Sequence, residues 1–371
     1  MNGTDLCRTA RFCSRKTNSA SVCYIENMSR YIVYVLSKSA LPLARSLGQG
    51  LDAPIYAPNR FVESGMQGFD SLRELVAATF GRFDGHVFIA AAGIVVRTIA
   101  AHIAAKDRDP AVVNMDPEGR FVISLLSGHL GGANDLARKC AEITGGQAVI
   151  TTATDTAGVV SVDVLARDRG LHLADLDEVR NVNAALLEGR MVPVYDPLGC
   201  LGELDPVSFS MVESPGDFKP GDPGVWVHWM EGWSRPGVLR LHAPVLSLGV
   251  GCRRGTPMEE VLDLIHHVLD ENGLARKSVA VMGTADIKHD EEGLLDTARE
   301  LNVPLEFFEA EELASVSTPT PSSMVEQYVG TASVSEAAAL LLSRGGELLV
   351  AKQKSERVTV AVARSNACLL R

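Results

Sequence analysis

The segment Ser124-Leu-Leu-Ser127-Gly128-His129-Leu130-Gly131-Gly132-Ala133-Asn134-Asp135 puts an imidazole, a carboxamide and a carboxylate into one loop with three glycines. The apolar run Phe121 to Leu126 reads as a strand before it, and Asn134 to Ile143 reads as a helix after it. Glycines let a backbone turn tightly and let a ligand approach it closely. N–H groups at a helix start favour negative charge, and His129 adds a group that titrates near neutrality. A turn whose histidine merely packs is the competing reading. Three glycines with His129, Asn134 and Asp135 in one loop favour a site, with Ser127, Gly128, Gly131 and Gly132 lining it.

Two further loops have the same form. Ala90-Ala91-Ala92-Gly93 leads into a helix whose first turn ends at Arg97, placed to reach a carboxylate. Gly249-Val250-Gly251-Cys252-Arg253-Arg254-Gly255 follows a strand and opens a helix, with Thr256 expected as its N-cap and Pro257 at its first position. Its GxGxxxG spacing is one residue longer than the dinucleotide fingerprint, and no acidic residue ends the next strand, so a nicotinamide or flavin cofactor is not expected. The cluster Lys288-His289-Asp290-Glu291-Glu292-Gly293 stands before another helix. An acidic helix start accounts for Asp290 and Glu291; Lys288 is less expected there.

The nine histidines form no HxH or HExxH pattern, and the seven cysteines form no CxxC pair. A metal site is therefore not expected. Dispersed cysteines fit reduced thiols better than a disulfide framework. The three tryptophans, Trp226, Trp229 and Trp233, read as packing rather than a ligand platform.

These residues need elements to hold them. From residue 31 short β-rich runs alternate with helical runs, the pattern of a parallel sheet. The fold class is α/β and multidomain. An N-terminal α/β domain is expected over 30–150 and a smaller, irregular middle domain over 151–243, rich in Pro and Gly. A C-terminal α/β domain follows over 244–371. Residues 1–29 carry Arg8, Arg11, Arg15 and Lys16 among Ser, Thr and Asn without apolar periodicity. They read as a disordered extension, with Met28 a natural start. A net charge of −11, from 35 basic and 46 acidic residues, argues against nucleic acid as a partner. The longest uncharged apolar run, Gly85 to Val96, is too short to span a membrane.

The motifs together resemble one family. Phe121 to Asn134, followed by Val149-Ile-Thr-Thr-Ala-Thr-Asp155, is similar to the signature of the cobalt-precorrin-5A hydrolase (CbiG) family. Gly93-Ile-Val-Val-Arg97 and Lys106…Asp109-Pro-Ala-Val-Val113 match the same pattern upstream. Downstream, Gly249 to Gly255, Ile287 to Leu294 and Gly330-Thr-Ala-Ser-Val-Ser-Glu336 resemble its carboxy-terminal domain. Order and spacing agree from about residue 30 to 365, loosely between 190 and 240.

The resemblance implies a cytoplasmic enzyme of anaerobic cobalamin biosynthesis. It would open the δ-lactone of a ring-contracted cobalt-tetrapyrrole, cobalt-precorrin-5A, and release acetaldehyde to give cobalt-precorrin-5B. Lactone opening needs activated water and a donor for the developing oxyanion. His129 would be the base, and backbone N–H groups at Gly131 to Ala133 the oxyanion site. Asn134, Asp135, Thr151, Thr152 and Asp155 would orient water or the base. An axial bond from His129 to cobalt is a second possibility. The substrate bears many carboxylates, so Arg97, Arg253, Arg254 and Lys288, with Gly251, Asp290 and Glu291 beside them, are expected to shape a locally positive cleft despite the acidic total. Cobalt would arrive inside the substrate, so no cofactor of the protein's own is expected. Partners would be the cobalt-tetrapyrrole and neighbouring pathway enzymes, with the oligomeric state open. Two rivals are a non-catalytic corrinoid-binding protein and an S-adenosylmethionine-dependent tetrapyrrole methyltransferase.

Overall fold

The computed structural model describes residues 12–16, 21–25, 30–106, 108–319 and 333–369. Within the stretch read as an extension, β1 (Phe12–Lys16) and β2 (Ser21–Ile25) pair antiparallel. The chain divides after Val164 into two units, the first beginning at Asn27 and the second taking the remainder.

The first unit is built on a seven-stranded sheet. Its elements are β3 (Tyr31–Val35), α1 (Leu41–Leu51), β4 (Ile55–Pro58), β5 (Gln67–Phe69), α2 (Leu72–Thr79), β6 (Gly85–Ile89) and α3 (Ala92–Ile99). Then come β7 (Ala111–Met115), β8 (Phe121–Leu126), α4 (Ala133–Thr144), β9 (Gln147–Val149), α5 (Ala153–Ala157) and α6 (Val162–Asp168). The strand order is β5-β4-β3-β6-β7-β8-β9. Alternation along β3 sends Val33 and Val35 to one face, where Leu47 of α1 and Leu136 and Cys140 of α4 pack. Ile32 and Tyr34 go to the other, against Val76 of α2 and Val95 and Ile99 of α3. Both faces are covered, as a largely parallel sheet requires.

One reversal matters for function. Strands β3 to β7 run parallel, but β8 is antiparallel to β7, and β9 follows β8 in parallel. The turn Asp116–Gly119 imposes this, because a tight turn joins only antiparallel neighbours. Asp116 closes it by accepting from the N–H groups of Glu118 at 3.0 Å and Phe121 at 2.7 Å. Gly119 takes φ 69°, in the left-handed region. As a result, Leu126 at the end of β8 stands opposite Val112 near the start of β7.

The second unit holds two sheets. The middle region is more regular than its composition suggests. It comprises β10 (His172–Leu173), α7 (Leu176–Leu187), β11 (Val192–Tyr195), β12 (Phe209–Met211), β13 (Gly224–His228) and β14 (Val238–His242), with strand order β10-β14-β13-β11-β12. Trp226 is buried and stacks on Trp233 with ring centroids 5.2 Å apart. The Arg364 guanidinium lies 4.3 Å over the Trp229 ring.

The last sheet has the order β1-β2-β17-β16-β15-β19-β18. It uses β15 (Leu246–Cys252), α8 (Met258–Glu271), β16 (Val279–Ala285), α9 (Glu292–Leu301), β17 (Leu305–Phe308), α10 (Ala310–Ala314), α11 (Val334–Leu342), β18 (Glu347–Lys354) and β19 (Val358–Arg364). Strand β2 docks antiparallel on β17, so the leading residues take part in a sheet where an extension was expected. Gly249 lies under α11, where a Cβ would meet the Ser335 carbonyl oxygen at 1.8 Å. The start of α8 also differs from expectation. Pro257 is its N-cap, and the buried Thr256 hydroxyl donates instead to the Arg253 carbonyl. Among the described residues no helix is long and apolar enough to cross a membrane.

Candidate active site

The carboxyl ends of β8 and β9 lie side by side in the first unit, and the loops that leave them build the site. Ser127 turns the chain out of β8 with φ 58°, a left-handed conformation that costs a non-glycine residue about 1–2 kcal/mol. The loop then closes on itself. The N–H groups of Gly132, Ala133 and Asn134 donate to the carbonyls of His129, Ser127 and Gly128, each at 3.0 Å. Gly131 packs so close that a Cβ there would lie 2.4 Å from the Ser127 Cβ. Gly132 caps α4 with φ 82°. This bears on the oxyanion site expected at Gly131 to Ala133. The Gly132 and Ala133 N–H groups already serve the loop's own carbonyls.

What the closed loop presents is the His129 side chain, 10% exposed. Its Nε2 lies 3.1 Å from Asp155 Oδ2 and 3.1 Å from Thr154 Oγ1, both on α5. Its Nδ1 lies 3.3 Å from Asp163 Oδ2 at the start of α6, and 3.3 Å from Ser161 Oγ. Asp163 is fully buried, whereas Asp155 is 19% exposed, so Nδ1 faces the interior and Nε2 the more open side. The hydrogen bond to Asp163 is the chief reason the imidazole's pKa is raised. Burial opposes that rise, and the Asp155 carboxylate reinforces it. The two carboxylates thus favour the charged ring, a proton donor at both nitrogens.

Asp155 is the hub. Its Oδ2 accepts from Thr152 Oγ1 at 2.6 Å, Asn134 Nδ2 at 2.9 Å and His129 Nε2, and its Oδ1 pairs with Arg138. Burial works against its charge, but the hydrogen bonds from Thr152, Arg138 and His129 prevail and hold the carboxyl below its usual range. Asn134, 3% exposed, also donates to Thr152 Oγ1 at 3.0 Å and accepts from Ser124 Oγ at 2.7 Å. Arg138, one turn along α4, spans Asp135 and Asp155. Asp135 thus stands outside the cluster, 53% exposed, linked to it through Arg138. Thr151 is exposed at the end of β9.

The other sequence candidates fall elsewhere. Gly93 and Arg97 follow the carboxyl end of β6, and the reversal at β8 puts that edge opposite the His129 loop. Arg97 donates to the Gly93 carbonyl at 2.9 Å. In the second unit Arg254 binds Asp290 through two hydrogen bonds of 2.9 and 3.2 Å. Glu291, only 4% exposed, lies 3.5 Å from Arg254 Nε and 3.4 Å from Lys288 Nζ, and accepts from the Gly255 N–H at 2.9 Å. Two cations are thus spent on two carboxylates. These pairs stand beside a cavity of about 500 Å³ lined by Arg254, Asp290 and Glu291. The Gly251 carbonyl accepts from Thr359, and the Arg253 N–H donates to the Arg357 carbonyl at 2.9 Å. Among the described residues, no group of three or more His, Cys, Asp or Glu is placed to hold a metal ion.

Sequence reasoning missed Asp163, Ser161, Thr154 and Arg138. An acid in the first turn of a helix ordinarily reads as a dipole partner, which hides Asp163. Arg138 was detectable as the i+3 neighbour of Asp135 on one helix face.

Residues 74–155 match the family model for the cobalamin synthesis G N-terminal region, 160–234 that for the cobalamin biosynthesis central region, and 246–363 that for the cobalamin synthesis G C-terminus. The cobalt-precorrin-5A hydrolase of Priestia megaterium is 33% identical over 352 residues, covering 90% of this chain and 94% of that protein. The Salmonella typhimurium cobalt-precorrin-5A hydrolase is 32% identical over 343 residues, covering 89% and 96%. A solved structure of a cobalamin biosynthesis protein G homolog from Sulfolobus solfataricus is 24% identical, covering 92% of this chain and 99% of that one, with a TM-score of 0.37.

Proposed function

The chain belongs to the cobalamin synthesis G family, and we propose that it is a cobalt-precorrin-5A hydrolase that opens the substrate's δ-lactone and releases acetaldehyde to give cobalt-precorrin-5B. The substrate reading rests on relatives of that name aligned along nine-tenths of the chain. The observation that carries the chemistry is the His129 ring held between Asp155 and Asp163.

The two steps use one oxygen atom. Water adds to the lactone carbonyl, and as the C–O bond breaks the departing alkoxide takes the proton from His129 Nε2. The new acid releases its own proton to solvent. His129, now neutral, takes back the proton of the freed hydroxyl while its C–C bond breaks. The oxygen leaves as the carbonyl of acetaldehyde, and the electron pair stays on the macrocycle carbon, which takes a proton from solvent. The sum is lactone plus water giving one carboxylic acid and one acetaldehyde, so the bond hydrolysed overall is C–C. His129 acts first as acid and then as base, a sequence that suits a group titrating near working pH.

Asp155, held ionised, orients the Nε2–H. Asn134 and Thr152 fix Asp155, and Arg138 at the rim pairs with it and with Asp135. Hydrolysis needs only water and mobile protons, so the enzyme requires no cofactor of its own, and cobalt enters as part of the substrate. Its further partners would be the enzymes that supply the lactone and take up its product. We place it in the cytoplasm, since dispersed cysteines without a CxxC pair suit reduced thiols. Anaerobic incubation of the protein with cobalt-precorrin-5A tests the assignment. One acetaldehyde per substrate consumed is the expected result. Tight binding without acetaldehyde would make the chain a carrier.

A further inference from the structure

Asp163 stands in the first turn of α6, where a carboxylate normally reaches solvent. Here it is 0% exposed. Its Oδ1 accepts from the Ser161 hydroxyl, and its Oδ2 faces His129 Nδ1 at 3.3 Å. Burying an ionised carboxylate costs several kcal/mol unless a cation and hydrogen bonds answer it. The imidazole is the titratable partner placed to do so.

We propose that Asp163 is the positioning residue of this site, fixing the His129 ring with Nδ1–H turned inward and Nε2 turned to the reacting oxygen, and so making His129 the group that carries the proton. The proposal rests on the hydrolase assignment. The groups facing the ring come from each neighbouring element. Asp163 and Ser161 meet Nδ1, while Asp155 and Thr154 of α5 meet Nε2. Arg138 of α4 reaches the ring's partner Asp155, with Asp135 on its other arm. Of the two carboxylates, only Asp163 is sealed from water. Its hold survives when substrate enters on the Asp155 side. The Nε2 proton leaves for the alkoxide in the first step and returns from the hydroxyl in the second, with Nδ1 kept facing Asp163 and Ser161 throughout. Consistent with this geometry, Asp163 is also the first cause of the raised imidazole pKa.

Asp163→Asn keeps the shape and removes the charge. The first step needs protonated His129, so the rate falls as pH rises through the ring's pKa. With Asn in place of Asp163 that alkaline limb moves to lower pH. At neutral pH kcat for acetaldehyde release falls about 100-fold or more, the usual contribution of an acid–base group, while KM is unchanged. A variant with wild-type kcat and an unmoved limb overturns the proposal, as does one that loses KM alone. Should the variant not fold, ¹⁵N NMR titration of the intact wild-type protein decides, with His129→Gln assigning the signal. A midpoint above the ordinary imidazole value of about 6.5 is expected, and one at or below it overturns the proposal. Absence of acetaldehyde from the wild-type protein would strike the hydrolase assignment, and the titration would still decide whether Asp163 governs His129.

Discussion

A histidine between two carboxylates is biased toward its charged form, and that bears on the order in which it can act. In the proposed mechanism the ring donates first and accepts second, since each nitrogen faces a carboxylate. The same contacts couple His129 to folding. Its folded pKa is raised above the unfolded value, so the stabilisation is fully present below about pH 6.5 and is lost as pH rises through the raised folded value. Urea unfolding of the wild type across that window should show stability declining with pH, and His129→Gln should flatten that part of the slope. A variant with the wild-type slope would mean that the pairs contribute nothing in the folded state.

At the scale of elements, the strand–loop–helix around residue 127 was legible in the sequence because each part has its own local signal. The alternation and length of Phe121 to Leu126 mark the strand, and the glycines mark the turn. Leu305 to Phe308 was legible for the same reason. The turn at Asp116–Gly119 was legible too. Its consequence, that the His129 loop and the Gly93 loop lie on opposite edges, depends on strand order, which no local pattern carries. Asp163 was illegible because its partner lies far along the chain and its own position mimics a helix-start acid. The middle sheet was hidden by the turns that punctuate its short strands. The loop's closure makes a prediction at this scale. Gly131→Ala forces a Cβ to within 2.4 Å of the Ser127 Cβ, and such overpacking costs about 1–3 kcal/mol. Chemical denaturation should show that loss together with a lower turnover, since His129 rides on the loop. An Ala variant with unchanged stability and rate would mean that the loop gives way freely.

For the whole molecule, an acidic chain has to admit a substrate that bears many carboxylates. The net charge of −11 sets no barrier by itself, since exposed charges farther apart than about 10 Å are largely screened. Local pairing decides more. In the second unit Arg254 is engaged by Asp290 and Glu291, and solvent screens the exposed Arg254–Asp290 pair. Arg254→Ala should therefore leave stability and KM for the corrinoid nearly unchanged. A tenfold or larger rise in KM would restore Arg254 as a substrate anchor and show that the pairs exchange for substrate carboxylates.

The most direct measurement of the central claim is single-turnover acetaldehyde release from cobalt-precorrin-5A under anaerobic conditions, comparing wild type with His129→Ala and measuring corrinoid binding in parallel. The account predicts unchanged binding and a rate lowered by about 100- to 10,000-fold, the span expected for an acid–base group. A His129→Ala protein that releases acetaldehyde at the wild-type rate would contradict it.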